Sequence, residues 1–161
     1  MKKFLFLMVA LVMGFTAASA QSLPDVKVEN QEGKLVSIKE LADGTPMIIS
    51  FWATTCKPCI MELNAINDYL PEWLEEVEFK VVAVSVDDAR SVSRARSMTS
   101  GNGWDDYICL YDKNQDLKRA MNVSLTPHTF VVDGNGNIVA SHSGYTPGSE
   151  QKLFEEIKAI K

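Results

Sequence analysis

Residues 47–59 read MIISFWATTCKPC, and this stretch is the most informative part of the chain about its fold. Its first half, from Met47 to Trp52, is a short apolar run, which is typical of a strand buried on both faces of a sheet. Its second half ends in Cys56-Lys57-Pro58-Cys59, where a proline in the first turn favours the start of a helix. The stretch therefore predicts a buried strand that leads into a helix, with a pair of cysteines at the junction.

The position of the cysteine pair predicts its chemistry. The free amides and the positive dipole end of a helix N-terminus favour a thiolate over a thiol. Because the thiolate is the nucleophile in disulfide exchange, Cys56 is the predicted attacking residue, and Lys57 adds a positive charge of the same sense. Cys59 lies one turn further in, where it is placed to attack a mixed disulfide on Cys56 and release the partner.

A Cys-x-x-Cys pair has two other common uses. Half of a zinc site would need two more ligands, and the remaining candidates form no second close pair. These candidates are Cys109, His128 and His142. A structural disulfide between residues so close in sequence would not staple distant parts of a core. Redox exchange is the favoured interpretation, and Cys109, on a predicted apolar strand, is interpreted as a buried, unreactive thiol rather than a third redox partner.

Outward from the junction, strand patterns alternate with helix patterns, which predicts an α/β sandwich around a mixed sheet. A β-hairpin is predicted within residues 26–36, and Pro71 predicts a kink or break near Leu70 in the first helix. The other predicted strands cover residues 79–86, 107–111, 129–132 and 138–140, and the other predicted helices cover 89–100, 115–121 and 149–160.

Composition limits the function classes. The chain has 161 residues, of which 46% are apolar, and a formal charge of −5. That length suits one compact domain with a real core, and the acidic balance argues against binding to nucleic acid. The start of the chain combines Lys2-Lys3, an apolar run from Phe4 to Phe15 and Ala18-Ser19-Ala20. These features predict a signal peptide over residues 1–20 and an exported domain over 21–161, with no later segment suited to span a membrane.

Several motifs together resemble the thioredoxin superfamily: Phe51-Trp52-Ala53-x-x-Cys56-Lys57-Pro58-Cys59, Thr126-Pro127 before a strand, and Asp133-x-x-Gly136. Glu62, the signal segment and the long stretch between residues 87 and 126 are similar to the TlpA/ResA-like branch. The resemblance implies a thioredoxin-like sandwich in which helices flank a central mixed β-sheet. It also implies an N-terminal β-hairpin and a central helix–strand insertion.

The resemblance also implies roles for individual residues. It makes Cys56 and Cys59 catalytic and Pro127 a cis proline that lies against the disulfide. It makes Glu62 the group that accepts or relays the proton of Cys59, the alternative being a solvated carboxylate on a helix face. Substrate contacts are expected from residues around these groups, namely Trp52, Lys57, Pro58 and Thr126, although plain core packing is the alternative for Trp52.

Two positions depart from the family pattern. Thr55 precedes Cys56 where thioredoxins often carry a tryptophan, which makes the rim of the site smaller and more polar. Ser50 stands where cytosolic thioredoxins have a buried acid that assists the second cysteine. The acid–base role therefore shifts towards Glu62.

The function that the resemblance implies is thiol-disulfide exchange with protein thiols and disulfides, without a cofactor. The predicted signal peptide places this activity in the periplasm or another extracytoplasmic space. The resemblance favours a reductant of the cytochrome c maturation type, which a membrane-delivered electron donor would reduce again. The alternatives are a thiol peroxidase and a copper-binding module on the same fold. A peroxidatic cysteine would need a different local motif, and copper carriers typically use a wider cysteine spacing plus a histidine.

Overall fold

The computed structural model describes residues 21–160, and the predicted signal peptide lies outside them. Its strands are β1 Lys27–Asn30, β2 Leu35–Ser37, β3 Met47–Trp52, β4 Lys80–Ser85, β5 Ile108–Tyr111, β6 His128–Val132 and β7 Ile138–Ser143. Its helices are α1 Lys57–Glu76, α2 Val92–Gly101, α3 Asp116–Ala120 and α4 Glu150–Ala159, with a 3-10 turn at Ile38–Leu41.

The seven strands form one mixed sheet in the order β2-β1-β5-β4-β3-β6-β7. The inner strands β3, β4 and β5 are parallel, and the flanking pairs on both sides are antiparallel. All six residues of β3 are buried. Because β3 lies between β4 and β6 and both of its faces are covered, an unbroken apolar run is what this position requires.

Successive residues of β3 point to opposite faces of the sheet. Ile48 and Trp52 pack into a core that also contains side chains of α1, α2 and α4. Phe51 packs into a second core, which α3 and the N-terminal hairpin cover. This alternation directs Ser50 towards the α1 layer, where an apolar neighbour would be expected.

Helix α1 differs from its prediction at Pro71. The helix runs continuously from Lys57 to Glu76 with Pro71 inside it, so of the predicted kink or break the break is wrong. Leu70 and Trp73 are each only 3% exposed, while Pro71 faces solvent. Burial of this apolar face offsets the cost of a proline inside a helix, which is about 3 kcal/mol.

The predicted fold class is confirmed by this arrangement. The hairpin of β1 and β2 turns at Gly33, whose φ of 78° lies in the left-handed region that glycine tolerates best. Helix α2 and strand β5 occupy the predicted central insertion. Across residues 21–160, no helix combines the length and apolarity that crossing a bilayer requires.

Candidate active site

The strand register brings three loops to one edge of the sheet. Strand β3 ends at Trp52, which pairs with Ser85 at the end of β4. One residue earlier, Phe51 pairs with His128 at the start of β6. The segments that follow β3 and β4 and the segment that precedes β6 therefore meet at this edge, which we call the functional edge. They are residues 53–56, 86–91 and 125–127.

The cysteine pair lies at the functional edge as a disulfide between Cys56 and Cys59, with Cα atoms 5.3 Å apart. Cys56 is the N-cap of α1, and its carbonyl accepts a hydrogen bond from the Ile60 amide at 3.2 Å. Cys56 is partly exposed, whereas Cys59 is completely buried. An incoming sulfur atom would therefore meet Cys56 first, at the end of the helix where free amides and the dipole favour a thiolate.

A buried carboxylate fixes the loop that precedes the disulfide. Asp87 Oδ2 accepts hydrogen bonds from the Thr54 amide and from Ser85 Oγ, both at 2.9 Å. Asp87 Oδ1 accepts a further hydrogen bond from Thr54 Oγ1 at 2.7 Å. Asp87 is 8% exposed. Because hydrogen bonds to a charged acceptor are the stronger kind, they hold the loop next to the end of β4.

Glu62 lies on the buried side of α1, three residues after Cys59 and 3% exposed. Its Oε2 accepts hydrogen bonds from Ser50 Oγ at 2.9 Å and from Thr129 Oγ1 at 2.8 Å. Ser50 and Thr129 are cross-strand partners on β3 and β6. The alternative of a solvated carboxylate is wrong, because Glu62 is buried. Its carboxyl reaches Ser50 from α1, so a buried acid lies next to the position at which the sequence has a serine.

Burial is the dominant influence on Glu62 and raises the pKa of its carboxyl. The hydrogen bonds from Thr129 and Ser50 oppose this effect, because they stabilise the ionised form. A carboxyl with a raised pKa changes its protonation state nearer to neutral pH, which suits a group that exchanges a proton with a thiol.

A cavity of about 540 Å³ connects Glu62 with the outside. Its other lining residues come from the end of β7, the following loop and the start of α4, and most of them are exposed. The half-buried His142 is in this wall and pairs with Glu156, with 2.7 Å between Nε2 and Oε2. Since the wall is largely polar, the cavity suits water and gives a proton on Glu62 a route to solvent.

The predicted substrate-contact residues divide into two groups. Lys57 and Pro58 are exposed beside Cys56, and Thr126 is partly exposed next to the buried Pro127. The Thr126–Pro127 peptide bond is cis, as expected. Trp52 is completely buried and packs edge-on against Trp104, with ring centroids 5.1 Å apart. Because none of its surface is exposed, Trp52 does not present a contact surface to substrate. It packs in the core at the end of β3, so core packing, the alternative, is the role that it has.

The remaining cysteine and histidines stand apart from the pair. Cys109 is a free, buried cysteine, and burial raises the pKa of its thiol to about 11. The ring of His128 bonds to Ser141 and Ser143 on β7, and burial lowers the pKa of the imidazole. In residues 21–160, no group of three or more His, Cys, Asp or Glu side chains is arranged to hold a metal ion.

Sequence reasoning misses three features that shape the site. Thr129 and Ser50 are polar residues within apolar strands, and that mismatch is the available signal that a polar partner lies opposite. Asp87 precedes a predicted helix and has the sequence pattern of a helix-capping acid, but its carboxylate turns inward to the Thr54 loop. The sequence pattern indicates a surface position for His142, whereas this residue lines the cavity that reaches Glu62.

The chain is similar to known proteins over most of its length. Residues 20–141 match the model of the AhpC/TSA family. The chain is 30% identical to the thiol:disulfide interchange protein DsbE of Yersinia pestis, over 80% of this chain and 66% of that protein. It is 27% identical to the thiol-disulfide oxidoreductase ResA of Bacillus anthracis, over 72% of this chain and 64% of that protein. The chain thus spans about two thirds of the length of these curated relatives.

Solved structures show the same fold. The solution structure of an uncharacterized thioredoxin-like protein from Porphyromonas gingivalis is 47% identical, with a TM-score of 0.76 over 86% of this chain and 90% of that one. Peroxidoxin BcpB from Mycobacterium tuberculosis has a TM-score of 0.74 over 88% of this chain and 97% of that one, but at 19% identity it shares the fold alone. The predicted enzyme class, thiol-disulfide oxidoreductase, is the class in which the curated relatives are named, so the prediction is confirmed at that level.

Proposed function

The chain belongs to the AhpC/TSA family, and we propose that, like the DsbE and ResA proteins it resembles, it exchanges its Cys56–Cys59 dithiol with the disulfides of protein substrates, as a reductant. The observation that carries this proposal is the asymmetry of the pair. Cys56 is partly exposed at the N-terminus of α1. Cys59 is buried in the same helix, three residues before the buried Glu62. Such an arrangement separates a group that attacks from a group that resolves.

In the first step, the Cys56 thiolate attacks one sulfur of a substrate disulfide. The substrate S–S bond breaks, a mixed disulfide forms, and the leaving thiolate takes a proton from solvent. The thiol of Cys59 then loses its proton to the Glu62 carboxylate, and the resulting thiolate attacks Cys56 Sγ. The second substrate sulfur leaves as a thiolate and takes up the proton that Glu62 releases, so the substrate gains two electrons and the enzyme is left with a Cys56–Cys59 disulfide.

Thr126 and Pro127 are proposed to position the substrate. Segment 125–127 precedes β6 at the functional edge, the edge at which the disulfide lies. The amide and carbonyl of Thr126 have no hydrogen-bond partner within residues 21–160. An extended substrate segment would satisfy both groups by pairing there as a short strand, which leaves its cysteine facing Cys56.

The cellular setting is a further part of the proposal. Residues 1–20 are proposed to be a signal peptide, so that the enzyme acts outside the cytoplasm, where thiols tend to become oxidised. Each turnover leaves a disulfide, so a dithiol donor must return two electrons, and a membrane-delivered donor is proposed. Cell fractionation with N-terminal sequencing tests the export step, and a mature protein that begins at Gln21 is expected.

A thiol peroxidase is the second candidate, because the family model and the peroxidoxin structure share this fold. There the Cys56 thiolate would attack a peroxide oxygen, and the O–O bond would break with release of water or an alcohol. The resulting sulfenic acid would condense with the Cys59 thiol to the same disulfide and release water. Turnover assays with dithiothreitol as donor, and with insulin or hydrogen peroxide as oxidant, compare the two directly.

Insulin reduction that is lost in Cys56→Ser and unchanged in Cys109→Ser supports the proposed function. The Cys109→Ser variant is the matched control, because it removes a free thiol outside the functional edge. Turnover with hydrogen peroxide and none with insulin would overturn the proposal in favour of the peroxidase.

A further inference from the structure

An apolar groove lies between α1 and α2, next to the disulfide. It has a volume of about 410 Å³, and its lining includes Ile60 of α1 and Met98 and Arg94 of α2. A groove of this size accommodates one or two side chains of a docked polypeptide. It belongs to the surface that the central insertion adds, since α2 is part of that insertion.

The groove is continuous with the reactive end of α1. Ile60 follows Cys59 directly, and its amide bonds to the carbonyl of Cys56. Cys56, Ile60 and Met98 are all partly buried and pack against the same core. A polypeptide whose cysteine reaches Cys56 therefore has the groove one helical turn away along α1.

The groove has a cationic wall in an acidic protein. Three of the four arginines of the chain pair with carboxylates, namely Arg90 with Asp88, Arg96 with Glu29 and Arg119 with Asp116. Arg94 has no carboxylate partner within residues 21–160, and neither does the exposed Lys57 beside Cys56. One unpaired cation in the groove lining and another beside Cys56, in a chain of net charge −5, complement a negatively charged partner.

We propose that this groove docks the stretch of substrate polypeptide next to its reactive cysteine, and that it selects an apolar side chain followed by a carboxylate. The inference rests on the proposed function and names the kind of substrate that function uses. The apolar side chain lies against Ile60 and Met98, and the carboxylate pairs with Arg94.

Helix geometry sets the spacing in the substrate. Ile60 is four residues from Cys56, or about 6 Å along the helix axis. An extended chain advances about 3.3 Å per residue, so the apolar side chain is expected about two residues from the substrate cysteine. The carboxylate is expected on the next one or two residues, where it reaches Arg94.

The test uses disulfide-linked homodimers of short peptides, in which both sulfurs have the same neighbours. One peptide carries Leu two residues from Cys and Glu beyond it, and matched peptides replace Glu with Gln or Leu with Ser. Each set is made with the motif on either side of the cysteine. The wild-type protein is expected to reduce the Glu peptide about two- to fivefold faster in kcat/KM than the Gln peptide in one orientation, as for an exposed ion pair. Loss of Leu is expected to lower kcat/KM about three- to tenfold.

Variants of the groove then assign the effect to Arg94. In Arg94→Gln, the ratio of the Glu peptide to the Gln peptide is expected to fall to about 1, and in Arg94→Glu it is expected to fall below 1. High salt should lower the wild-type ratio, because exposed charges are screened. Arg119→Gln is the matched control, since it removes an exposed arginine of α3, and it should keep the wild-type ratio.

The possible outcomes distinguish a failure of the docking groove from a failure of the proposed disulfide exchange. If the wild-type protein reduces insulin but shows no preference for Glu or Leu in either orientation, the docking groove is refuted and the exchange activity stands. The docking groove is also refuted if Arg94→Gln keeps the wild-type preference. If the wild-type protein reduces neither insulin nor any peptide, the proposed function itself fails.

Discussion

Replacing Glu62 with glutamine removes a charge and a proton acceptor from behind the disulfide while keeping the size of the side chain. Residues three apart on a helix have Cβ atoms about 5–6 Å apart, and about 6 Å is taken as the separation of a Glu62 carboxylate from a Cys59 thiolate. Two unit charges about 6 Å apart in an effective dielectric of about 20 interact by about 2.8 kcal/mol, or about two pKa units. This is a ceiling, because burial raises the pKa of Glu62 and a protonated carboxyl does not repel a thiolate. We therefore expect the apparent pKa of the reduced thiol pair to fall by about one unit in Glu62→Gln.

The same substitution should slow exchange even though it favours the thiolate. Without Glu62, the thiol of Cys59 has no carboxylate to take its proton, and loss of a general base costs about a hundredfold in rate. Thiolate absorbance against pH measures the titration, and single-turnover reduction of a peptide disulfide measures the rate. Glu72→Gln, the same change on an exposed turn of α1, is the control. Unchanged titration and unchanged rate in Glu62→Gln would show that Glu62 has neither role.

Stability should respond to pH in a definite direction. Burial raises the pKa of Glu62 above its ordinary value of 4.5, so the folded protein holds this proton more tightly than the unfolded chain does. Linkage then requires the free energy of unfolding to fall as pH rises above 4.5, up to the raised value. Glu62→Gln should remove that part of the decline, so oxidised wild type and variant should diverge in urea unfolding between acid and neutral pH. Parallel stability curves would show that burial of the carboxyl carries no such cost.

Three further predictions concern the surroundings of the pair. Asp87→Asn should lower the free energy of unfolding by about 1.5–3 kcal/mol, because a charged acceptor of three hydrogen bonds becomes neutral; unchanged urea unfolding would contradict the clamp. Thr129→Val should raise the pKa of Glu62 further, because it removes a hydrogen bond to the ionised carboxyl, and a carboxyl carbon NMR titration that does not move would count against it. In the reduced protein, alkylation across pH should label Cys56 before Cys59, and the reverse order would overturn the assignment of the nucleophile.

The parts of the fold that could be predicted are those in which local pattern and tertiary packing agree. The run from Met47 to Trp52 is apolar because both faces of β3 are covered, so composition alone indicates a central strand. Pro71 shows the opposite case. Its local cost predicts a kink or a break, but the helix does not break, because the apolar face on both sides of it packs into the core and no local rule includes that contribution.

The candidate site divides in the same way. The cysteine pair could be predicted because its chemistry depends on a spacing of three residues and on a helix start, which are local features. The partners of Glu62 could not, because Ser50 and Thr129 meet only through the antiparallel register of β3 and β6. The carboxyl is 12 residues from Ser50 and 67 from Thr129, so no local pattern connects them. The groove beside α2 likewise depends on how the insertion packs against α1.

The most direct test of the mechanism is to trap its covalent intermediate, because this shows which cysteine attacks the substrate and which one resolves the mixed disulfide. Cys59→Ser removes the resolving thiol, so reaction of the reduced variant with a protein disulfide such as insulin should stop at a mixed disulfide. Peptide mapping by mass spectrometry should find the substrate attached to Cys56, and Cys56→Ser should trap nothing under the same conditions. A substrate attached to Cys59 in the wild-type background, or a stable adduct in Cys56→Ser instead of Cys59→Ser, would contradict Cys56 as the attacking group.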